Sequence, residues 1–314
     1  MQPSLPQPGL FAKGIGEHFH VEFTLSVEPG DDSQTLEQVR QAIGQARRAA
    51  TWLPGPNVTW GFAPELWRRF QPGGIPSSAR AFSGLRGKDD SSAPATQFDI
   101  WAWCSGRSSD SVAVTAADIT AALAPVADLS QQLAAFTAPD SRDPTGFIDG
   151  TENPLPDEAY DVALFPAGTP GEGGSMVLIQ KWVHNLADFN RLPQPEQEGV
   201  IGRTKELSIQ LPAESMPDTS HVSRNTVTDA AGNERHIHRR NTPFIEADSA
   251  GTLFIGATND PDLMDTMLAR MFGTSGDDLI DDLIRFSTPV TGSYYFVPSM
   301  SALTAVFGSL ADDD

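Results

Sequence analysis

An α+β fold, with antiparallel sheets covered by helices, is predicted by three features of this chain. Short runs that alternate apolar and polar residues recur in the manner of half-buried strands. Amphipathic segments with helix start signals lie between them. The strands are separated mostly by long excursions rather than by tight hairpin turns. With 314 residues, 39% of them apolar and 17 of them Phe, the chain can bury one large core or two ordinary ones.

The elements follow in order. His18 to Glu28 alternates as a strand, and Pro29-Gly30-Asp31-Asp32 turns the chain. Thr35 to Ala50 reads as a helix with Leu36, Val39, Ile43 and Ala46 on one face and Thr35 with Gln38 as a capping box. Val58 to Phe62 and the aromatic run Phe98 to Cys104 are strands. Ala116 to Ala135 is helical in pattern and bends or splits at Pro125. Ser175 to Trp182 is a strand and Asn185 to Arg191 a short helix. Thr252 to Ala257 is a strand, followed by a helix from Pro261 to Phe272 with Asp260 as its N-cap. Asp277 to Phe286 reads as another helix, and Ser293 to Val297 as the last strand. Residues 71–96 and 156–174 are rich in Gly, Ser and Pro and read as loops. No repeat relates the two halves at the sequence level. The turn-forming run Thr137 to Pro144 marks a boundary between residues 1–140 and 141–314.

A net charge of -20 works against nucleic acid and anionic membrane as partners, since both require a positive field. The single cysteine, Cys104, excludes an intramolecular disulfide, a covalent Cys-x-x-Cys-His haem attachment and a thiolate cluster. It fits a reducing compartment. The Pro-rich start lacks the basic and apolar regions of a secretory signal, and no run approaches the ~18 apolar residues of a membrane span. The expectation is a cytoplasmic protein that does not act at a membrane. Ala311 to Asp314 reads as a frayed acidic end.

The stretch richest in chemical meaning is Gly146-Phe147-Ile148-Asp149-Gly150-Thr151-Glu152-Asn153-Pro154. Its glycines permit tight turns and close approach of backbone to a flat ligand, and they hold the Asp149 carboxylate between them. An ordinary surface turn has the same composition, and the nonapeptide alone does not separate the two. The histidines are His18, His20, His184, His221, His236 and His238, with no His-Glu-x-x-His set. A closed zinc site therefore has little support, whereas haem asks for only one histidine because the porphyrin supplies four nitrogens. His236 and His238 form a His-x-His pair that would face one way in a strand, either toward a metal or on a solvated edge. In Arg239-Arg240-Asn241-Thr242-Pro243-Phe244, extended alternation sends Arg239 and Asn241 to one face and Arg240 to the other. A guanidinium and an amide opposite a carboxylate can bind and polarise a small oxygen species. An Arg-rich strand that pairs with surface carboxylates is the competing reading.

Taken together, these pieces resemble the dye-decolourising (DyP-type) haem peroxidases, in their compact bacterial and mostly cytoplasmic branch. The nonapeptide resembles the family's Gly-x-x-Asp-Gly motif. His221 lies 72 positions after Asp149 (221 − 149), where the family keeps its proximal histidine, and Arg239 lies 18 after His221 (239 − 221), close to its distal arginine. The Arg-x-Asn-x-Pro-Phe run and Pro289-Val290-Thr291-Gly292-Ser293-Tyr294-Tyr295-Phe296 resemble the same branch. The likeness spans His18 to Pro298 and is most specific over 146–154 and 221–244.

The resemblance implies two ferredoxin-like modules in a dimeric α+β barrel-like arrangement, 1–140 and 141–314, with non-covalent haem b (iron protoporphyrin IX) in the second. It implies His221 as the iron ligand, backed by Asp281 or its neighbour Asp282. Arg203, Gly150, Thr151 and Glu152 would contact the cofactor. Asp149, Arg239 and Asn241 would act on peroxide. An aspartate (pKa about 3.9) is available as a base at lower pH than a histidine (about 6.5), so an acidic optimum is expected. The implied activity reduces hydrogen peroxide through a ferryl intermediate and oxidises dyes, phenols or similar one-electron donors, with electrons entering at Tyr160, Trp182, Tyr294 or Tyr295. A homo-oligomer is expected. Some members dock inside an encapsulin shell by a C-terminal extension, which is not expected of a chain ending in Phe307-Gly308-Ser309-Leu310 and an acidic tail. Two rival readings are a haem carrier or store in the same fold, and a haem-free acid hydrolase using Asp149 and His184.

Overall fold

The computed structural model describes residues 4–27, 33–51 and 55–310. The turn expected at Pro29 to Asp32 and the acidic end at 311–314 lie outside them. The first half runs β1 (Glu17–Leu25), α1 (Ser33–Ala49), β2 (Asn57–Phe62), α2 (Pro64–Phe70), the short pair β3 (Leu85–Arg86) and β4 (Ser92–Ala93), β5 (Ile100–Gly106), α3 (Ser109–Leu123) and β6 (Ala127–Phe136). The second begins α4 (Pro156–Ala163), β7 (Ser175–His184), α5 (Leu186–Phe189), α6 (Gln194–Ile201), α7 (His221–Asn225), β8 (Val227–Thr228) and β9 (Glu234–Arg235). It ends β10 (His238–Arg239), β11 (Thr242–Ile245), β12 (Ala250–Thr258), α8 (Pro261–Met271), β13 (Ser287–Pro289), β14 (Ser293–Val297) and α9 (Met300–Phe307).

As the sequence predicts, the class is α+β and the sheet is antiparallel. Its strands follow the order β10-β12-β7-β14-β2-β5-β1-β6, with β11 also on β12 and β13 on β7. The two halves are joined where β14 pairs with β2, Phe296 opposite Phe62. Among the described residues the path is open, and β11 lies beside β6 without pairing to it. Alternation gives the sheet two apolar faces. One is covered by α1, α3 and α8, with Val39, Ile43, Ile119, Leu263 and Met264 in its core. The other encloses Trp101, Trp103, Val177, Ile179, Ile255 and Tyr295.

Several expectations are corrected. Ala127–Phe136 is a strand, not the end of a helix: Pro125 closes α3, and the following residues pair with β1 from Leu25↔Ala127 to Glu17↔Phe136. Tertiary pairing there overrides a weak helical pattern. The helix read at 277–286 is only a 3-10 turn at Asp282–Arg285. Asp277 is instead held by Arg224 through contacts of 2.8 and 3.0 Å, and Asp278 takes a left-handed φ of 64° that breaks helical continuation. Helix α1 starts at Ser33, so Thr35 lies inside it and is not a cap. Helix α4 occupies part of an expected loop, and α2, α6 and α9 are additions. Helix α8 begins as expected, Asp260 accepting from the backbone N–H groups of Asp262 and Leu263.

Gly251 of β12 shows how close the main sheet is packed. A Cβ there would lie 1.8 Å from the carbonyl oxygen of Trp182 on β7. We expect Gly251→Ala to lower stability by at least about 2 kcal/mol, read from chemical denaturation.

Candidate functional site

The site is assembled from the loop before α4, the start of α7, the edge strand β10 and the strands β12 and β7. Gly146 and Gly150 have φ of 85° and 79°, the left-handed region that glycine adopts without strain. Between them the loop is stapled: Asp149 N–H donates to Ser141 O at 2.8 Å, and Arg142 Nη1 donates to Gly146 O and Lys205 O at 2.6 and 2.7 Å. Phe147 is buried against Phe189. The loop is thus a built structure rather than a free surface turn.

Asp149 Oδ1 accepts from Gly150 N–H at 2.7 Å and from Asn241 Nδ2 at 3.1 Å. Burial pushes its pKa up, and the positive charge of Arg239 pulls it back most strongly. Asn241 is itself fixed, since its Oδ1 accepts from Ile255 N–H at 3.2 Å. This places Asn241 as a support for Asp149. Asn153 supplies a further tie that the sequence reading missed. Its Oδ1 accepts from Arg239 N–H at 2.7 Å and its Nδ2 donates to Arg239 O at 2.9 Å. One amide side chain thereby locks the Asp149 loop to the strand that carries Arg239. The sequence signal for it was only Asn before Pro.

The predicted alternation holds. Arg239 lies opposite Gly256 and Thr242 opposite Leu253, so the register is continuous through residues 240 and 241. Arg239 and Asn241 line the cavity, whereas Arg240 reaches the other face, where it bonds Ala12 O and lies 5.5 Å over the Trp103 ring. Gly256 makes room on the cavity side: a Cβ there would meet Met264 Cε and Phe254 Cζ, each at 2.7 Å.

His221 is the first residue of α7, a helix capped by Ser220. Its Nδ1 lies 2.6 Å from Asp281 Oδ2 and 3.2 Å from Asn225 Nδ2, which turns Nε2 to the cavity that the ring lines. Asp281 is fully buried, and its other oxygen caps Leu283 N–H at 2.9 Å. Asp282 turns away to bond Thr219 Oγ1 at 2.6 Å. The choice left open by the sequence therefore falls on Asp281 as the carboxylate behind this imidazole. A histidine so backed is a more basic ligand with a fixed tautomer.

Gly150, Thr151, Glu152 and Arg203 all border the same cavity. Arg203 pairs with Glu152 and donates to Ser208 O, while its buried Nε has no hydrogen-bond partner among the described residues. Apolar side chains of α8, Met264, Met267, Leu268 and Met271, form a wall with Trp182 and Phe254.

Other candidates fall outside this constellation. His184 lines the cavity, but hydroxyls of Ser287 and Thr252 occupy its Nδ1 and Nε2, and burial lowers its pKa to about 4. The His-x-His pair is split. His236 faces the cavity, while His238 is buried, bonded to Leu10 O at 3.0 Å and stacked on Phe11. No group of three or more His, Cys, Asp or Glu that could hold a metal ion occurs among the described residues. Tyr160 is 46% exposed, whereas Trp182, Tyr294 and Tyr295 are buried.

Residues 140–302 match the family model described as Dyp-type peroxidase, C-terminal. The chain is 31% identical over 306 residues to a dye-decolorizing peroxidase of Rhodococcus erythropolis, covering 96% of this chain and 89% of that protein. To one of Brevibacterium linens it is 34% identical over 296 residues, covering 93% and 80%. Among solved structures, DyPB from Rhodococcus jostii aligns with a TM-score of 0.86 at 31% identity over 98% of this chain and 99% of that one. A variant of that protein in complex with heme gives 0.83 at 30% identity over 97% of each chain. The encapsulated DyP-type peroxidase from Mycobacterium smegmatis gives 0.85 at 30% identity over 96% and 97%.

Asp143, on the same loop, borders the cavity, and burial, reinforced by the nearby Asp149 charge, lifts its pKa from 3.8 to about 6. A carboxyl whose folded pKa is raised costs nothing below its unfolded value, an increasing amount between the two values, and the full amount above the folded one. We expect Asp143→Asn to raise the stability of the cofactor-free protein by on the order of 2 kcal/mol at neutral pH. Below pH 3.8 it should give no gain, as paired thermal melts would show.

Proposed function

Because this chain belongs to the dye-decolourising peroxidase family, we propose that it is a haem b peroxidase that reduces hydrogen peroxide and takes its electrons from small one-electron donors. The observation that carries the reading is the presence, in one cavity, of an imidazole backed by a buried carboxylate together with the Asp149–Arg239 pair.

The residues present fit the cofactor. His221 offers one nitrogen to the cavity, the Met-rich wall suits a flat apolar macrocycle, and Arg203 has an unused buried N–H suited to a carboxylate at its edge. His221 would ligate iron, Arg203 would take a propionate, and Gly150, Thr151 and Glu152 would border the ring. When bound there, haem supplies a redox-active iron and an open coordination position.

Asp149 acts on the peroxide as a proton carrier. One carboxylate oxygen is held by Gly150 and Asn241, which leaves the other to take a proton from one peroxide oxygen and return it to the second. Arg239 stabilises the negative charge that develops on the departing oxygen. Asn241 holds the carboxylate from the cavity wall, beside the place where peroxide would bind. The Asn153 amide keeps the acid and the guanidinium in register, and misplacement of either is costly for a reaction that depends on orientation.

The carrier or storage alternative leaves this pair unexplained, since retention of haem requires neither a cavity-facing aspartate nor the arginine beside it. The hydrolase reading lacks a nucleophile motif such as Gly-x-Ser-x-Gly, and His184 has both ring nitrogens occupied. The proposal includes two modules, 1–140 and 141–314, the second holding the haem. The family-model match over 140–302 supports that division. It also includes a cytoplasmic homo-oligomer without a membrane partner, and no described helix is long and apolar enough to cross a membrane. A shell partner is not part of it, although the Mycobacterium smegmatis relative is encapsulated.

We expect His221→Ala to lose haem on gel filtration, seen as a vanishing Soret band. An undisturbed band would overturn the assignment of His221. Asp149→Ala should keep the band but slow the peroxide-driven spectral change by about 100-fold or more. An unchanged rate would transfer the role to Arg239. With Asp149 as the base, peroxide turnover should have an acid optimum and fall away as pH drops through the aspartate's pKa. That limb lies above the ordinary value of 3.8. It should be absent from the pH profile of the residual activity of Asp149→Asn.

A further inference from the structure

Two arginines cross between α7, which begins at His221, and α8, whose methionines wall the cavity. Arg224 donates from Nε and Nη2 to the carbonyl oxygen of Arg270 at 3.0 and 2.8 Å. Arg270 in turn donates from Nε to Arg224 O and from Nη2 to Ser223 O, both at 2.9 Å. Each guanidinium thus caps carbonyls at the end of the other helix, where a C-terminus favours positive charge. Asp277 closes the clamp from outside. Its carboxylate takes Nη1 and Nη2 of Arg224 at 2.8 and 3.0 Å and lies 3.9 Å from Arg270 Nη1. Arg224 is fully buried.

As a simple link between two helices this arrangement is costly. Two like charges stand side by side and share one carboxylate, and apolar side chains of similar volume would join the helices without desolvating a guanidinium. What the clamp adds is orientation. Helix α7 spans only His221–Asn225, so its own turn hardly resists tilting. At its start it is tied to the segment that carries Asp281: Asp282 N–H donates to Thr219 O at 2.9 Å, and Thr219 Oγ1 donates to Asp282 Oδ2 at 2.6 Å. Ties at one end leave a pivot. The arginines hold the other end, and they hold it to the turn of α8 whose Met271 O takes the N–H of Asp281 at 2.9 Å. The imidazole and the carboxylate 2.6 Å behind it therefore share one frame, the last turn of α8.

We propose that Arg224 and Arg270 are positioning residues for the iron ligand: they fix the tilt of α7 and so hold His221 Nδ1 against Asp281 in the geometry that makes the imidazole a strong donor. The inference rests on the peroxidase reading, in which His221 meets iron. Both arginines act through His221. A short Nδ1–H···Oδ2 bond shifts electron density toward Nε2, which strengthens the bond to a metal there and favours its oxidised state. A tilted helix lengthens that bond, and both properties weaken together. Guanidinium suits the task, because its planar fork reaches two carbonyls in fixed directions, whereas an ammonium group is a point charge.

The test is resonance Raman spectroscopy of the ferrous, haem-loaded protein, read at the iron–histidine stretch, with the iron midpoint potential measured on the same samples. In Arg270→Leu the stretch should fall and broaden and the potential should rise, each by at least half of the change that Asp281→Asn produces. Arg270→Lys, which can still cap one carbonyl, should recover part of both. Lost packing alone would lower thermal stability without moving either reading. Should Arg270→Leu not fold or not retain haem, Asp277→Asn carries the test. The Asp277 side chain is 36% exposed, so the change empties no core, yet it removes the charge that the two guanidinium groups share. Both readings should then shift in the same directions. Unchanged readings in Arg270→Leu, or in Asp277→Asn where it stands in, or no recovery in Arg270→Lys, overturn the clamp and leave the peroxidase reading standing. An unaltered protein without an iron–histidine stretch overturns the assignment of His221, and the clamp with it.

Discussion

Strand alternation over five residues, 238–242, is the constraint on which the chemistry of this protein depends. The segment pairs with β12 in one continuous register, so successive side chains must leave opposite faces of the sheet. Arg239 and Asn241 go to the cavity, while Arg240 and Thr242 go to the enclosed face, where Thr242 bonds His20 and Arg240 covers Trp103. A slip of one residue would exchange the two sets and put each in the wrong layer. The ladder itself is interrupted at Asn241, whose side-chain oxygen takes the N–H of Ile255. The same side chain that holds Asp149 therefore also holds the strand from which it projects.

That arrangement explains why the distal groups need such short connections. Asp149 belongs to a loop and Arg239 to an edge strand, two kinds of element with little intrinsic rigidity. Rigidity comes instead from amides: Asn241 on the carboxylate, and Asn153 on both backbone groups of Arg239. Each amide has a donor and an acceptor end and is used at both, which fixes its orientation and leaves no buried polar atom of that group without a partner. On the other side of the cavity the logic differs. His221 stands at a helix start, and its orientation is set by one buried carboxylate that is itself held by a backbone N–H.

Much of this was legible in the sequence, for specific reasons. The glycines around Asp149 and the 239/241 alternation are local signals, and local signals survive without tertiary knowledge. Asp260 as a helix cap and Pro261 at the first helical position were read for the same reason. Residues 127–135 were misread because their helical pattern is real but weak, and only pairing with β1, more than a hundred positions earlier in the chain, decides the outcome. Asp281 could not be told from Asp282 because adjacent acids differ only in which way the chain turns, and there the backbone N–H groups of Asp281 and Asp282 are tied to Met271 O and Thr219 O, each at 2.9 Å. The Asn153 clamp spans 86 positions and has no signature beyond its neighbour Pro154.

The enclosed face was the least legible part, and the reason is instructive. Trp101 and Trp103 occur in a run that reads as plain core, and Glu22 as one polar position of an alternating strand. Their meeting is decided by register across three ladders: β14 on β2, β2 on β5 and β5 on β1. Gly61 opposite Trp101 and Glu22 on its other side place a phenol, an indole and a carboxylate in one transverse row. No spacing along the chain encodes that row. A sheet that curls round an aromatic interior generates such rows wherever small residues fall between large ones. Glycine at residue 61 sets the Tyr295–Trp101 contact, so a side chain there would divide the interior while leaving the cavity residues on the opposite face untouched.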